Sequence, residues 1–284
     1  MDYHANIKDI AEEKNFYKIG NQNFEESFQN TENAASPIIK NLSKYKKTKP
    51  LDNIKNRSKL SIFMAIQFFR TNEMRKTILE QNSKISRYLK SFNMTEDMNN
   101  FVDFLDEKNI KRHQIEIIHE LTGNLTYELF FKKWVLLKNK TKVDLWTSDN
   151  PIVRYNPHGN IGFSCEHIHI FYPINPKLCL CLLDPTNYSN FEELKKFQGN
   201  EMISNIHRTV SKNIKDSEKI EFINRLLGKY ATRHIFSKNK NFDEIPNMIR
   251  NKIINPNVEK ERVLIEILKN PKTKNDIIHL SHPP

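Results

Sequence analysis

Phe131-Lys132-Lys133-Trp134-Val135-Leu136-Leu137 is the stretch on which the fold turns. Before it, apolar residues recur mainly at three- and four-residue steps; from it onward, short segments rich in β-branched and aromatic residues alternate with Asn, Asp, Gly and Pro. Val143–Thr147, Ile152–Tyr155, Ile161–Ile174 and Lys177–Leu183 continue the series. Their short connections predict an antiparallel meander over about residues 131–183, because parallel neighbours need longer crossovers. Strand alternation puts Cys179 and Cys181 on one face.

Working outward, Phe24, Phe28, Thr31, Ala35, Ile38, Leu42 and Tyr45 form one helical stripe, which Pro37 is expected to kink or divide. The lysine-rich Lys44–Lys59 reads as a solvated connection. From Ser58 to about Gln81 the pattern is helical and apolar in nearly every direction, which predicts a central helix. Further helices are expected after Thr95, from about Ile110 to Leu121 with Gly123 ending it, around Phe191–Lys212, around Ser217–Tyr230, and from Asn255–Pro256. The expected class is α+β: a single domain over residues 1–284, with helices from both ends of the chain packed on a central antiparallel sheet and residues 271–284 as a flexible tail.

Composition narrows the function classes. Eighteen Phe, nine Tyr and two Trp are too much bulky apolar material for a disordered chain. Charge interrupts every apolar run well short of the roughly 20 residues that cross a bilayer. The N-terminus lacks the basic-then-apolar order of a secretory signal, and three cysteines (Cys165, Cys179, Cys181) make no disulfide framework. A reducing cytoplasm is the expected setting, with no membrane partner. Only six glycines argue against Walker or Rossmann nucleotide sites, which need glycine to bring backbone close to phosphate.

The net charge of +11 favours anionic partners. Lysine supplies 34 of the 45 cations, as an AT-rich genome would write, but the excess is also local: residues 37–60 hold eight cations against one anion, Asp52. Lys44, Lys46, Lys47, Lys49 and Arg57 are therefore candidate nucleic-acid contacts, with Tyr45 able to stack on an unpaired base. The competing reading is a charged surface loop.

Two further groups could carry chemistry. Gln67 and Arg70 share a helix face among apolar neighbours, which suits either an internal ion pair or a clamp that holds a phosphate bidentately. Trp146-Thr147-Ser148-Asp149-Asn150-Pro151 is a strand end entering a turn. There Asp149 could serve as base or metal ligand and Ser148 as donor, or the residues could simply build the turn. In Cys165-Glu166-His167-Ile168-His169, strand alternation would align Cys165, His167 and His169, but their spacing makes a shared metal ion difficult, and no metal site is assigned.

Several motifs in order resemble the domain-of-unknown-function family 4238. They are Ala11-Glu12-Glu13-Lys14-Asn15-Phe16-Tyr17, Gln67-x-x-Arg70-Thr71, Trp134, Thr147-Ser148-Asp149-Asn150-Pro151, Tyr172-Pro173-Ile174-Asn175-Pro176, and Asn224 through Ala231-Thr232-Arg233-His234-Ile235-Phe236. The family's opening His-His-x-x-Pro element is not matched, and His4 stands alone; if those histidines serve a reaction, the resemblance implies that this protein either lacks the reaction or is a shortened form. The resemblance implies that Gln67, Arg70, Ser148, Asp149 and Asn150 belong to one shared site or one structural joint.

Two functional expectations follow. One is a bacterial nucleic-acid-acting effector, of phosphodiesterase or ribonuclease type in a toxin or phage-defence setting. There Arg70 would stabilise transition-state charge, Gln67 orient phosphate, and Asp149 act as base or as ligand to magnesium or manganese. The other is a non-catalytic nucleic-acid- or protein-binding module in which Arg70 and Asp149 form an internal ion pair.

Overall fold

The computed structural model describes residues 18–19, 22–91, 107–185, 208–239, 242 and 245. The helices expected after Thr95 and from Asn255, most of Phe191–Lys212, the tail at 271–284 and the first family motif lie outside them.

After a small antiparallel ladder of β1 (Lys18–Ile19) and β2 (Gln22–Asn23), α1 runs Glu25–Tyr45 and buries Phe28, Ala35, Ile38 and Leu42. Pro37 does not divide it. The proline is exposed and so is Asn33, whose carbonyl it leaves without an amide donor, so water can satisfy that group. Lys46, in the left-handed region at φ 51°, ends the helix by donating its N–H to Leu42 O at 2.9 Å.

Lys44–Lys59 is not a solvated connection. It contains α2 (Lys49–Asp52), whose Leu51 is buried, and the start of α3 (Ile54–Phe69), capped by Asn53 Oδ1 accepting from Asn56 N at 3.2 Å. The expected continuous helix past residue 70 is broken by Thr71. Its hydroxyl donates to Phe68 O (2.9 Å) and accepts from Met74 N (3.2 Å), closing α3 and opening α4 (Asn72–Ser91) with one side chain. Gln114 Nε2 donates to the freed carbonyls of Phe69 (2.7 Å) and Thr71 (3.3 Å). Gln114 lies on α5 (Glu107–Phe131), which continues through Gly123. A glycine there costs only about 1 kcal/mol, less than the burial of Ile115, Ile118, Leu125 and Leu129 on either side returns.

The main sheet has the order β5-β6-β7-β3-β8, with β3 Lys133–Asn139, β5 Val153–Tyr155, β6 His169–Asn175, β7 Leu178–Leu183 and β8 Val210–Ile214. Neighbours are antiparallel except β3 with β8, so the sheet is mixed and the meander holds only for β5–β6–β7. Val210–Lys212, expected to end a helix, instead belongs to the strand Val210–Ile214. Most of the expected strand from Ile161 is loop up to Ile168. A separate two-stranded ladder pairs β4 (Thr147–Ser148) with β9 (Ile235–Phe236).

Helices cover both faces. Trp134, Leu136, Leu178, Leu180 and Leu182 pack with residues of α1, α3, α4 and α5, while Val135, Cys179, Cys181 and Phe171 pack with Ile220, Ile223 and Leu227 of α6 (Ser217–Tyr230). This two-sided burial is why β7 reads Leu-Cys-Leu-Cys-Leu-Leu with no polar alternation. The class is α+β, with the sheet between two helical layers. No helix among the described residues is long and apolar enough to cross a membrane.

Candidate functional site

Asp149 sits just past β4, facing the loop that follows α6. Its carboxylate accepts from the backbone N–H of Thr232 (3.0 Å), Arg233 (3.0 Å) and His234 (3.5 Å), and from the Thr232 hydroxyl. Its own N–H donates to His234 O at 3.2 Å. Ser148 Oγ donates to Asn150 O (2.8 Å) and accepts from Asn150 N (3.2 Å), and Asn150 Nδ2 donates to Tyr230 O (3.2 Å). Six residues earlier in α6, Asn224 accepts from Trp146 N (2.9 Å) and donates to Asp144 O (2.9 Å). Two atoms of the run, Trp146 Nε1 and Asn150 Oδ1, are buried without a hydrogen-bond partner among the described residues.

The two motifs do meet, through residues that the spacing did not single out. Asn72 Nδ2 donates to Thr232 Oγ1 at 3.1 Å, and the Thr232 hydroxyl in turn donates to Asp149 Oδ2. Asn72 directly follows the Gln67-x-x-Arg70-Thr71 motif but lies outside it, and Thr232 lies in the late family motif, so only Thr232 carried a sequence signal.

Arg70 and Asp149 do not pair with each other. The Arg70 guanidinium is 2.7 Å from Glu32 of α1, donates to Gln67 Oε1 at 3.0 Å, and lies 5.6 Å from the centre of the Phe28 ring. Asp149 has Arg233 Nε at 4.0 Å. The side chains of Arg70 and Asp149 are 20% and 12% exposed, and those of Ser148 and Asn150 belong to buried residues. Both Asp149 oxygens face N–H and O–H donors, the reverse of what a magnesium ion needs, so these residues do not fit a divalent metal.

The third motif region forms a loop. Asn156 Nδ2 donates to Asn160 O (2.6 Å) and Glu166 O (2.8 Å), Gly159 takes φ 89° and His167 φ 63°. The loop lines an open pocket of about 350 Å³ with Asn156, His158, Asn160, Cys165, Glu166 and His167. The His167 backbone leaves the extended region, so Cys165, His167 and His169 are not aligned along a strand. Among the described residues no group of three or more His, Cys, Asp and Glu side chains could hold a metal ion. None of Gln67, Arg70, Ser148, Asp149 or Asn150 lines this pocket.

The basic segment divides sharply. Arg57 is fully buried: its guanidinium donates to Phe130 O (2.8 Å) and to Lys132 O, and lies 4.4 Å from the Trp134 ring centre. Burial pushes its pKa down to about 9, against the pull of Asp52. It closes the C-terminal end of α5 and cannot touch a bound nucleic acid, which corrects its assignment as a contact. Lys44, Lys46, Lys47 and Lys49 are exposed, as is Tyr45 at 55%, with Lys44 Nζ 5.0 Å from its ring centre. Among the described residues none of these four lysines has a carboxylate within ion-pairing distance.

No curated protein and no solved structure matches the chain. Residues 2–241, a span that holds the joint at Asp149 and the basic surface alike, match the family described as protein of unknown function (DUF4238), and the chain belongs to that family.

Proposed function

We propose that the protein is a non-catalytic module that binds single-stranded nucleic acid through the exposed end of α1 and the turn after it. The observation that carries this reading is the juxtaposition of Tyr45, exposed and with Lys44 over its ring, with three further lysines that have no ion-pairing carboxylate among the described residues. Ammonium groups attract phosphates as point charges, and an exposed aromatic ring can stack on any base, a pairing that suits an unpaired strand better than a duplex. Arg70 and Asp149 are architectural in this reading, since each already has its opposite charge and hydrogen-bond partners within the fold.

The test is fluorescence anisotropy of the purified chain with labelled single-stranded RNA, single-stranded DNA and duplex DNA. Affinity should be highest for the single strands and fall steeply with salt. Replacing Lys44, Lys46, Lys47 and Lys49 by Gln should flatten the salt dependence; an unchanged slope would remove this surface from the account. Incubation with magnesium or manganese should produce no cleavage that Asp149→Ala abolishes. Such cleavage by the wild type alone would overturn the non-catalytic reading.

A further inference from the structure

The lysines of the α1–α2 turn do not stand alone in the fold. Asp52, the one anion of the basic segment, accepts a 2.7 Å hydrogen bond from the backbone N–H of Thr209, immediately before β8. This fixes Arg208 beside α2, and Lys133 Nζ holds the Arg208 carbonyl at 2.8 Å. Burial pushes the Lys133 pKa down, and the neighbouring charges of Arg57 and Arg208 add to that effect while Asp52 opposes it.

From this corner β8 runs along the edge of the sheet, with β3 as its neighbour among the described residues. Ser211, Lys212 and Asn213 are all exposed, although strand alternation would normally bury one set. Lys215, just past the strand, is exposed too, and so is Lys140, whose N–H donates to Ile214 O at 2.8 Å. Among the described residues Arg208, Lys212 and Lys215 lack an ion-pairing carboxylate, whereas Lys84, Lys177 and Lys219 each have one. Nearby Asp216 is held by Lys219 and caps α6 through Glu218 N.

We infer that the nucleic-acid footprint continues from the α1–α2 turn along the exposed edge strand β8, with Arg208, Lys212 and Lys215 contacting phosphates of the same single strand. The inference rests on the proposed nucleic-acid reading and lengthens it. From Arg208 to Lys215 an extended chain covers roughly 20 Å at about 3.3 Å per residue, the reach of several nucleotides rather than of one phosphate. Charge complementarity chooses the occupant. A row of uncompensated cations matches a polyanion with regularly spaced charges, and the polar outer residues Ser211 and Asn213 offer no apolar anchor to a protein partner.

The experiment measures binding of a labelled oligothymidylate to the full chain across a salt series. The variants are a β8 set (Arg208→Gln, Lys212→Gln, Lys215→Gln), a turn set (Lys44→Gln, Lys46→Gln, Lys47→Gln, Lys49→Gln), and a control set with the same charge loss as the first (Lys76→Gln, Lys229→Gln, Lys238→Gln). Each lost phosphate contact should reduce the slope of log K against log salt by roughly 0.7, so the β8 set of three should lose about 2 while the control set loses little. If the turn set loses slope and the β8 set matches wild type, the extension is wrong and the proposed function stands. Equal losses in the β8 and control sets would also overturn it, as a mere net-charge effect. If the wild type binds no oligothymidylate, both readings fall. Polyglutamate competing as well as the oligonucleotide would overturn the choice of a nucleic acid. Circular dichroism melting of every variant separates lost contacts from lost folding.

Discussion

The joint around Asp149 and the surface around Tyr45 are both rich in polar groups, and they have opposite electrostatic bookkeeping. At the joint, one carboxylate gathers three backbone amides, a hydroxyl and a guanidinium. At the surface, Lys44, Lys46, Lys47 and Lys49 cluster with no ion-pairing carboxylate among the described residues. Charges whose partners lie inside the chain hold elements together; charges without partners are left for something outside it. Arg57 marks the boundary. It lies between Lys55 and Lys59, both exposed, yet it is fully buried and belongs with Asp149.

The contrast is broken most easily at Arg57. Arg57→Ala removes a buried side chain and strands the carbonyls of Phe130 and Lys132, so unfolding stability should fall by about 4 kcal/mol, read as a lower urea midpoint. Oligonucleotide affinity at temperatures where the variant stays folded should be unchanged. Asp149→Ala should cost roughly 3 kcal/mol, because the amides of Thr232 and Arg233 lose a charged acceptor. A variant as stable as wild type would show that the carboxylate is kept for another purpose.

The interior also sets the alkaline limit. Burial pushes the Cys179 thiol up to about 12 from 9.0, and Cys181 is raised as well. The unfolded chain therefore releases these protons first, so the native state holds more protons above pH 9 and stability falls as pH rises from there toward 12. Each thiol contributes up to about 1.4 kcal/mol per pH unit. Replacing both thiols by Ala should flatten that descent in urea titrations at pH 9 and pH 10.

Effects at the surface should be smaller in stability and visible in binding. Tyr45→Ala should weaken single-strand binding by about 1–2 kcal/mol while leaving duplex binding nearly intact. Substituting Gln at Lys44, Lys46, Lys47 and Lys49 should shift unfolding stability by no more than about 0.5 kcal/mol, the expectation for cations without partners. A larger stability loss would mean that these lysines belong to the architecture after all.

Much of the architecture was legible where local signals and burial agree. The stripe from Phe28 to Leu42 became α1, Ser217–Tyr230 became α6 with the predicted Ile220, Ile223 and Leu227 inward, and Cys179 and Cys181 share a face. In two of the errors a distant partner or burial outweighed a local rule, and in a third a single local hydroxyl did. Gly123 failed to stop α5 because the helix is buried on both sides of it, and Thr71 split the central helix with its own hydroxyl. Val210–Ile214 became a strand because β3 offered it a ladder.

By itself the amino-acid order determined the class of fold, the sites of most helices and strands, family membership and where positive charge concentrates, because periodicity and composition are local properties. Only the tertiary structure decided which cation of residues 37–60 is inside, that Arg70 answers Glu32 while Asp149 answers the loop after α6, and that Arg208 stands beside the lysine turn. Those are relations between side chains far apart along the backbone, and burial and Coulomb energy depend on distance in space.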